Sequence, residues 1–252
     1  MKTSKTVKER VSGAESVCVL TGAGISAESG VPTFRGKEGL WKKFKPEELA
    51  NVDAFMQNPT LVWEWYSYRK KVISEVQPNP GHFALAEMQN LIRDFTLVTQ
   101  NVDNLHTRAG SRDVLELHGN ITRSYCIRCR KPASEELLQK SEKAAPVCDY
   151  CGGLVRPDVV WFGEYLPAAA FEEAVDAAGR CDLFLCVGTS GIVYPAASIP
   201  MTAKEHGAFV LEINPEYTDL SSRVSETIIG KSGEILPLLV RIMKEEHNHE
   251  SA

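Results

Sequence analysis

The sequence predicts an α/β protein: a doubly wound parallel sheet with a smaller lobe made of a zinc-binding module and a helical insertion. Three observations predict this class. Five short segments are rich in β-branched residues, and most are apolar nearly throughout, as strands covered on both faces are. Segments with the period of a helix lie between them. Four of the seven cysteines stand as two pairs in a stretch that fits neither pattern.

The first predicted strand is SVCVLT at 16–21, which leads directly into a glycine-rich turn. The later strands are predicted at 95–99, 114–117, 182–187 and 208–213. Both faces of the sheet are expected to be covered by helices, predicted at 60–76, 82–93, 168–179 and 234–246. In a sheet of this kind the ligand is expected beyond the carboxyl ends of the strands.

Two stretches interrupt the alternation of strand and helix. One is rich in Trp, Tyr and Lys with a helical period (36–80), and the other contains the paired cysteines (120–160). We therefore expect the two insertions to pack together as the smaller lobe, with 161–176 returning the chain to the large domain. The sheet is then assembled from 1–35, 81–119 and 177–252.

The composition excludes several classes of function. Subtracting 33 acidic from 28 basic residues gives a net charge of −5, which offers no general attraction to nucleic acid or to an anionic membrane. No apolar run approaches the roughly 20 residues that a spanning helix needs, and the N-terminus lacks the apolar core of a secretory signal. A cytoplasmic protein without membrane or direct nucleic-acid binding is expected.

The turn after the first strand is typical of a dinucleotide site. Gly22, Ala23, Gly24 and Ala27 match the G-x-G-x-x-G/A spacing, in which glycine lets the backbone approach a pyrophosphate. Taken alone, the spacing also fits a tight turn without a ligand. The segment 30–45 is not the second strand that a hydride-transfer site uses. It contains an aromatic and a guanidinium, which together suggest a lid over bound phosphates, at Phe34 and Arg35.

The paired cysteines predict a structural zinc ion. Two C-x₂-C pairs separated by eighteen residues supply four thiolates for tetrahedral zinc, at Cys126, Cys129, Cys148 and Cys151. Four protein ligands leave no open position for water, so the metal is expected to stabilise the module and to take no part in catalysis. The alternative is a set of redox thiols. A zinc ribbon that binds nucleic acid would need a larger basic cluster than the one nearby.

Polar residues follow several predicted strands. Asn101 and Asp103 follow one strand and His118 follows another, so an amide, a carboxylate and a base are expected to converge at one edge of the sheet. Turn chemistry is the alternative for each of them. Gly188, Thr189 and Ser190 follow a later strand, and such residues present backbone N–H groups and hydroxyls to phosphate.

The motifs GAGIS, GVPTFR, TQNVDNLH, HG at 118–119, the four cysteines, FGE, GTS and INP follow the order found in sirtuins, the NAD-dependent protein deacylases. The chain resembles this family over nearly its whole length. The resemblance implies a Rossmann-like domain, a zinc-bearing lobe, and a cleft where NAD meets an acylated lysine. It also implies that NAD is cleaved at the nicotinamide bond and that the acyl group passes to ADP-ribose.

The resemblance assigns roles to residues of this chain. Asn101 and Asp103 are expected to help seat the nicotinamide, and His118 is expected to take a proton from the ribose hydroxyls. The NAD-binding set that the family implies is Gly22, Ala23, Gly24, Phe34, Arg35, Gln100, Asn101, Asp103, Gly188, Thr189, Ser190, Asn214 and Lys231.

The substrate is expected to be an acyl-lysine peptide lying as an added strand between Phe162 and the segment 191–194. The chain is similar to a desuccinylase and demalonylase subgroup, which shares GVPTFR and a Tyr-x-x-Arg motif. Tyr66 and Arg69 share a helix face and would grip an acyl carboxylate; the alternative is a solvated basic face. The substrate-binding set is Ala27, placed to widen the pocket, with Tyr66, Arg69, Phe162, Gly163, Glu164, Gly191, Val193 and Tyr194.

Three rival functions differ in what they would release. A dehydrogenase would generate reduced nicotinamide, whereas a deacylase releases free nicotinamide only when an acylated peptide is present. A zinc-ribbon binding module would perform no chemistry. Mono-ADP-ribosyl transfer to protein uses the same cleavage of NAD with a different acceptor, and the sequence does not distinguish it from deacylation.

Overall fold

The computed structural model describes residues 3–33, 46–141 and 144–250. The eight strands of these residues are β1 (Ser16–Thr21), β2 (Asp94–Thr99), β3 (Leu115–Glu116), β4 (Gly119–Cys126), β5 (Val155–Val159), β6 (Leu183–Val187), β7 (Phe209–Asn214) and β8 (Glu226–Ile229). Six of them form one parallel sheet in the order β3-β2-β1-β6-β7-β8, and β4 pairs with β5 in a separate antiparallel ribbon. The predicted fold class is confirmed.

The described residues also form eleven α-helices. In chain order they are α1 (Lys5–Ser12), α2 (Ala23–Ala27), α3 (Pro46–Leu49), α4 (Val52–Gln57), α5 (Pro59–Glu75), α6 (Pro80–Leu91), α7 (Leu105–Arg108), α8 (Glu135–Gln139), α9 (Ala168–Arg180), α10 (Ile199–Glu205) and α11 (Ser232–Glu250). None of the described helices is long and apolar enough to cross a membrane.

The large sheet is apolar on both faces because helices cover each of them. Successive side chains of a strand point to opposite faces. Val17 and Val19 of β1 therefore join one core cluster with residues of α1, α6 and α11, whereas Cys18 and Leu20 join another with residues of α9 and α10. This arrangement explains why the strand sequences are apolar nearly throughout instead of alternating.

The strand order reverses beside β1. The chain passes from β1 outward to β2 and β3, and returns to the other side of β1 with β6, β7 and β8. The connections that follow β1 and β6 therefore run toward opposite edges of the sheet. Such a switch point opens a crevice at the carboxyl ends of the strands. The candidate site lies at these strand ends.

The smaller lobe combines the helical insertion with the cysteine module. Residues of α5, among them Val62 and Trp65, pack with Ile121 of β4 and with Trp161 just after β5. A second cluster joins Trp63 to Cys126 and other residues of the module. Asn58 caps α5 by accepting a hydrogen bond from the Leu61 amide at 3.1 Å, with proline at the first helical position.

The structure contains elements that the sequence analysis did not predict. These are the edge strand β8, the ribbon of β4 and β5, and several short helices. The strand predicted at 114–117 is only the two residues of β3. Strand β8 (ETII) is four residues long and half-buried at the sheet edge, so it lacks the continuous apolar run that marks the central strands.

Candidate active site

Three glycines bring the loops after β1 and β6 into direct contact. The Gly22 amide donates to the Val187 carbonyl at 3.0 Å, and the Gly24 amide donates to the Gly188 carbonyl at 2.8 Å. A Cβ at Gly22 or Gly24 would lie within 2.8 Å of Gly188 backbone atoms. Gly188 has a φ of 59°, which favours glycine. Both motif glycines are thus required by loop packing, and not only by the approach of a pyrophosphate as the sequence analysis supposed.

The packed loops line a cavity of about 590 Å³, which we call the glycine-loop cavity. Asn214 Nδ2 donates to the Thr189 carbonyl at 2.9 Å, and Gln100 Nε2 donates to Thr189 Oγ1 at 3.0 Å, so these polar side chains are held at the wall. The predicted NAD-binding residues on this wall are Gly22, Ala23, Gly24, Gln100, Asn101, Gly188, Thr189, Ser190 and Asn214. An adjoining cavity of about 270 Å³ includes Lys231.

Some predicted residues lie elsewhere. Phe34 and Arg35 fall outside the described residues. Asp103 is not among the described residues that line the glycine-loop cavity; it is buried, at 4% exposure, and bonded to Ser26. Ala27 was expected to widen the acyl pocket. In the described residues it lines the glycine-loop cavity, because Ala23 and Ala27 are one helical turn apart and share the face of α2 that meets this cavity.

A buried hydrogen-bond network holds Asn101 and Asp103. Ser26 Oγ donates to Asp103 Oδ2 at 2.7 Å and accepts from Asn101 Nδ2 at 3.1 Å. His82 accepts from the Asn79 amide at Nδ1, so its Nε2 carries the proton and donates to Ser26 Oγ at 3.4 Å. Burial raises the pKa of Asp103, although hydrogen bonds from the Leu105 amide and Ser26 oppose the shift.

Two histidines lie beside this network: His82, which the sequence analysis did not single out, and His106, the last residue of the TQNVDNLH motif. The rings of His82 and His106 lie 4.9 Å apart. Burial lowers the pKa of His82 to about 4, and burial together with the neighbouring His82 ring lowers that of His106 well below its usual value. Both side chains are therefore neutral near pH 7. His82 belongs to no recognisable spacing, and only the fold brings it to Ser26, whereas His106 Nε2 lies 2.9 Å from Thr21 Oγ1.

His118 occupies the boundary between two cavities. Its Nδ1–H donates to the Gln100 carbonyl at 2.8 Å, which leaves Nε2 unprotonated in the neutral ring. Burial lowers the pKa of His118, although the bond to the carbonyl opposes the shift. Gly119 follows with a φ of 74°, and a Cβ there would lie 2.2 Å from the Asp158 carbonyl oxygen. The histidine is therefore presented at a tight turn as a neutral base.

The second cavity, of about 220 Å³, lies on the other side of His118; we call it the Arg69 cavity. Tyr66 and Arg69 of α5 both line it, and both are buried, at 4% and 8% exposure. The Arg69 guanidinium carbon lies 4.8 Å from the centre of the Trp65 ring and 5.7 Å from that of Tyr66. Arg69 is thus not part of a solvated basic face, although Lys71 on the same helix is exposed.

The other predicted substrate residues surround the Arg69 cavity. Phe162, Gly163, Val193 and Tyr194 line it, and Phe162 and Tyr194 are 50% and 67% exposed. Gly191 lies outside its lining in the described chain, with a φ of 67° and a Cβ position 2.3 Å from the Leu220 side chain.

Glu164 also lines the Arg69 cavity, but its carboxylate is bound to the protein. One oxygen accepts from Arg156 Nη2 at 2.8 Å and from the Trp161 amide at 2.7 Å, and the other also accepts from Arg156. Burial alone would raise the pKa of Glu164, but these hydrogen bonds outweigh burial and lower it. Glu164 therefore fixes the turn that presents Phe162 and Gly163.

The four cysteine thiols converge as a metal site. The sulfur atoms all lie within 4.8 Å of one another, at Cys126, Cys129, Cys148 and Cys151. Each pair is followed directly by a residue with positive φ, Arg130 at 62° and Gly152 at 68°. The amides of these two residues donate to the carbonyls of Cys126 and Cys148 at 2.9 Å. Four convergent sulfurs, with no further His, Cys, Asp or Glu grouped with them among the described residues, fit a closed, tetrahedral zinc site.

Comparison with known proteins agrees with this geometry. Residues 22–195 match the Sir2 family. NAD-dependent protein deacylase 2 of Pyrobaculum aerophilum is 54% identical over 227 residues, which cover 90% of each chain. A solved Sir2 homologue in complex with NAD superposes with a TM-score of 0.87 at 42% identity, covering 97% of this chain and 95% of that one. A Sir2 structure with a p53 peptide and NAD⁺ gives 0.84 at 34% identity, covering 97% and 98%.

Proposed function

Since the chain belongs to the Sir2 family and is an NAD-dependent protein deacylase, we propose that it removes succinyl and malonyl groups from lysine as well as acetyl groups. It uses NAD as a co-substrate and holds a structural zinc ion. The observation that carries this proposal is the buried Arg69 beside Tyr66 on the wall of the Arg69 cavity. Both side chains offer hydrogen-bond donors, and an acetyl group has no terminal oxygen anion to receive them.

The position of the two side chains supports recognition of a carboxylate. A guanidinium and a carboxylate attract strongly where water is excluded, and the planar guanidinium matches the carboxylate geometry. Burial lowers the pKa of Arg69, with Tyr66 and Asp103 opposing the shift, yet an arginine remains charged in proteins. His118 separates this cavity from the glycine-loop cavity, so an acyl-lysine in one would meet NAD in the other.

The same geometry supports the catalytic roles proposed for His118, Asn101 and Asp103. His118 lies at the boundary of the two cavities, and its unprotonated Nε2 would accept a proton from a ribose hydroxyl. The Asn101 amide and the Asp103 carboxylate are fixed by Ser26 and would seat the nicotinamide. Transfer of the acyl group to ADP-ribose is favoured over transfer of ADP-ribose to protein, because the curated relatives are named deacylases.

The acidic limb of kcat/KM is expected to have its midpoint below pH 6.5. His118 must be neutral to accept a proton, and burial lowers its pKa below the usual 6.5. Activity is therefore full above the lowered pKa and is lost as the pH falls through it. Initial rates with an acetyl-lysine peptide, taken from about pH 5 to about pH 8, measure this midpoint. A midpoint above 6.5 would show that another group, or a charged His118, controls the reaction.

Replacing Arg69 with methionine is expected to lower kcat/KM for a succinyl-lysine peptide by roughly ten- to a hundredfold, since a charge-assisted hydrogen bond is lost. Deacetylation should change little, because an acetyl group has no carboxylate to accept a hydrogen bond from the guanidinium. The measurement is mass-spectrometric conversion of one peptide, bearing acetyl, succinyl or malonyl lysine, to the same peptide with an unmodified lysine, with NAD and without it.

Lys71→Met is the matched control for Arg69→Met. It removes a cation from the same helix, but from an exposed side chain that does not line the Arg69 cavity. Its ratio of desuccinylation to deacetylation should equal that of the wild type. Equal loss of both activities in Arg69→Met would mean that Arg69 supports the fold of the lobe and does not recognise the acyl group.

A further inference from the structure

We infer that Trp161 is a positioning residue for acyl selection, and that its indole N–H orients the Tyr66 hydroxyl so that this hydroxyl donates into the Arg69 cavity. Trp161 Nε1 lies 2.9 Å from Tyr66 Oη, and both side chains line the cavity. The inference rests on the proposed function, because it concerns how the carboxylate of a succinyl or malonyl group is recognised.

The direction of this hydrogen bond is fixed by chemistry. An indole N–H is a donor only, whereas a phenol oxygen both accepts and donates. Trp161 therefore donates and Tyr66 accepts, and the single hydroxyl hydrogen of Tyr66 must point away from the indole. Burial raises the pKa of Tyr66, with Arg69 and Trp161 opposing the shift, and the hydroxyl keeps its hydrogen near neutral pH. It is thus available as a donor for a carboxylate beside Arg69.

The indole is held independently of Tyr66. The Arg156 guanidinium carbon lies 3.4 Å from the centre of the Trp161 ring, and the Phe55 ring centre lies 5.2 Å away. The Trp161 amide donates to Glu164, which also binds Arg156. Trp161 is 2% exposed. Because the ring is clamped by these neighbours, the indole determines where the hydroxyl of Tyr66 points, and not the reverse.

Tyr66 itself is limited to small movements. Its ring lies edge-on against Trp65, with ring centres 4.6 Å apart and an angle of 89° between the planes. Rotation of the hydroxyl about its bond to the ring is therefore the main motion left to Tyr66, and the hydrogen bond from the Trp161 N–H restricts this rotation. A carboxylate entering the cavity meets one phenol donor already oriented and one guanidinium already stacked, so little ordering remains for the bound state.

The test uses Trp161→Phe, Tyr66→Phe and the double variant, with kcat/KM measured for succinyl- and acetyl-lysine forms of one peptide. Trp161→Phe is expected to lower desuccinylation by about three- to tenfold and to change deacetylation less than about twofold. In the Tyr66→Phe background the same change should have no further effect on desuccinylation, because the hydroxyl it orients is gone. Additive losses, or an equal loss for both acyl groups, would overturn the inference.

Trp63→Phe is the matched control. Trp63 is also buried, at 6% exposure, and its Nε1 also donates, to the Ser141 carbonyl at 2.8 Å, but it does not line the Arg69 cavity. Its ratio of desuccinylation to deacetylation should stay at the wild-type value. If Trp161→Phe does not fold, benzothienylalanine at position 161 removes only the N–H from a ring of nearly the same shape. A lowered ratio of desuccinylation to deacetylation in that variant would support the inference, and an unchanged ratio would overturn it.

The outcomes separate this inference from the proposed function. If Arg69→Met loses both activities equally, the proposed recognition of a carboxylate fails and the role of Trp161 fails with it. If Arg69→Met is selective but the isostere at 161 leaves the ratio unchanged, the proposed function stands and only the positioning role of Trp161 is wrong.

Discussion

Replacing His118 with alanine is expected to reduce kcat by about 10²–10⁴-fold, the usual contribution of a positioned general base. His118 is the histidine that lines both cavities of the described chain, and its Nδ1 bond to the Gln100 carbonyl leaves Nε2 free to accept a proton. His82 and His106 do not line these cavities among the described residues, so neither is expected to replace it.

The measurement follows free nicotinamide and deacylated peptide in parallel at about pH 7.5, one unit above the usual pKa of histidine. His206→Ala is the matched control: this exposed histidine also places Nδ1 at 2.8 Å from a backbone carbonyl, that of Thr202, but it follows the end of α10 and lines neither of the two cavities. Its turnover should equal that of the wild type, and both variants should hold one zinc per chain.

Turnover retained in His118→Ala, with zinc content and melting temperature unchanged, would mean that the base lies elsewhere. Nicotinamide release that persists while deacylation stops would instead place the proton transfer after cleavage of NAD. That pattern agrees with the role proposed for His118, in which the ribose hydroxyl attacks after nicotinamide has left. The two product curves together therefore distinguish loss of the base from loss of NAD binding.

The large sheet was predictable because each central strand has to be apolar on both faces. SVCVLT and the segment at 183–187 contain no solvent face, so their composition identified them without a partner. Strand β8 was not predictable in this way, since an edge strand of four half-buried residues does not differ from a loop in composition. The ribbon of β4 and β5 was hidden because its pairing is interrupted between Asn120 and Ser124.

The site was predictable only where its residues are close in sequence or follow a strand. The cysteine pairs and the Tyr66–Arg69 pair have a spacing with a physical meaning, and His118 lies two residues after the end of β3. Ser26 and Trp161 have no such spacing to their partners. Ser26 is 77 positions from Asp103 in the sequence, and Trp161 is 95 positions from Tyr66. Contacts between such distant positions are a property of the fold and leave no local signal.

Replacing Cys148 with serine is expected to abolish zinc binding, unfold the smaller lobe and stop deacylation. Apparent binding energies of about 10–16 kcal/mol for small zinc modules exceed the stability of most domains, so the lobe should not persist without the metal. Cys148 packs with Trp63 in the core of the module, and β5 leads directly to Trp161 and the wall of the Arg69 cavity. Loss of the metal is therefore expected to remove the Arg69 cavity as well.

Tryptophan fluorescence reports this unfolding selectively. All four tryptophans, Trp41, Trp63, Trp65 and Trp161, lie outside the segments that supply the strands of the large sheet. Neither core cluster of that sheet includes a described residue from 120–160. Cys148→Ser, or a strong chelator added to the wild type, should therefore shift the emission to the red while far-UV circular dichroism keeps most of its helical signal.

Cys181→Ser is the matched control for Cys148→Ser. Both cysteines are 6% exposed, so the cost of burying a hydroxyl in place of a thiol is similar, but Cys181 packs beside the large sheet and is not one of the four convergent thiols. Cys181→Ser should keep one zinc per chain and the emission of the wild type. If Cys148→Ser also keeps its zinc, or if zinc-free protein deacylates at the normal rate, the four cysteines are not a structural metal site.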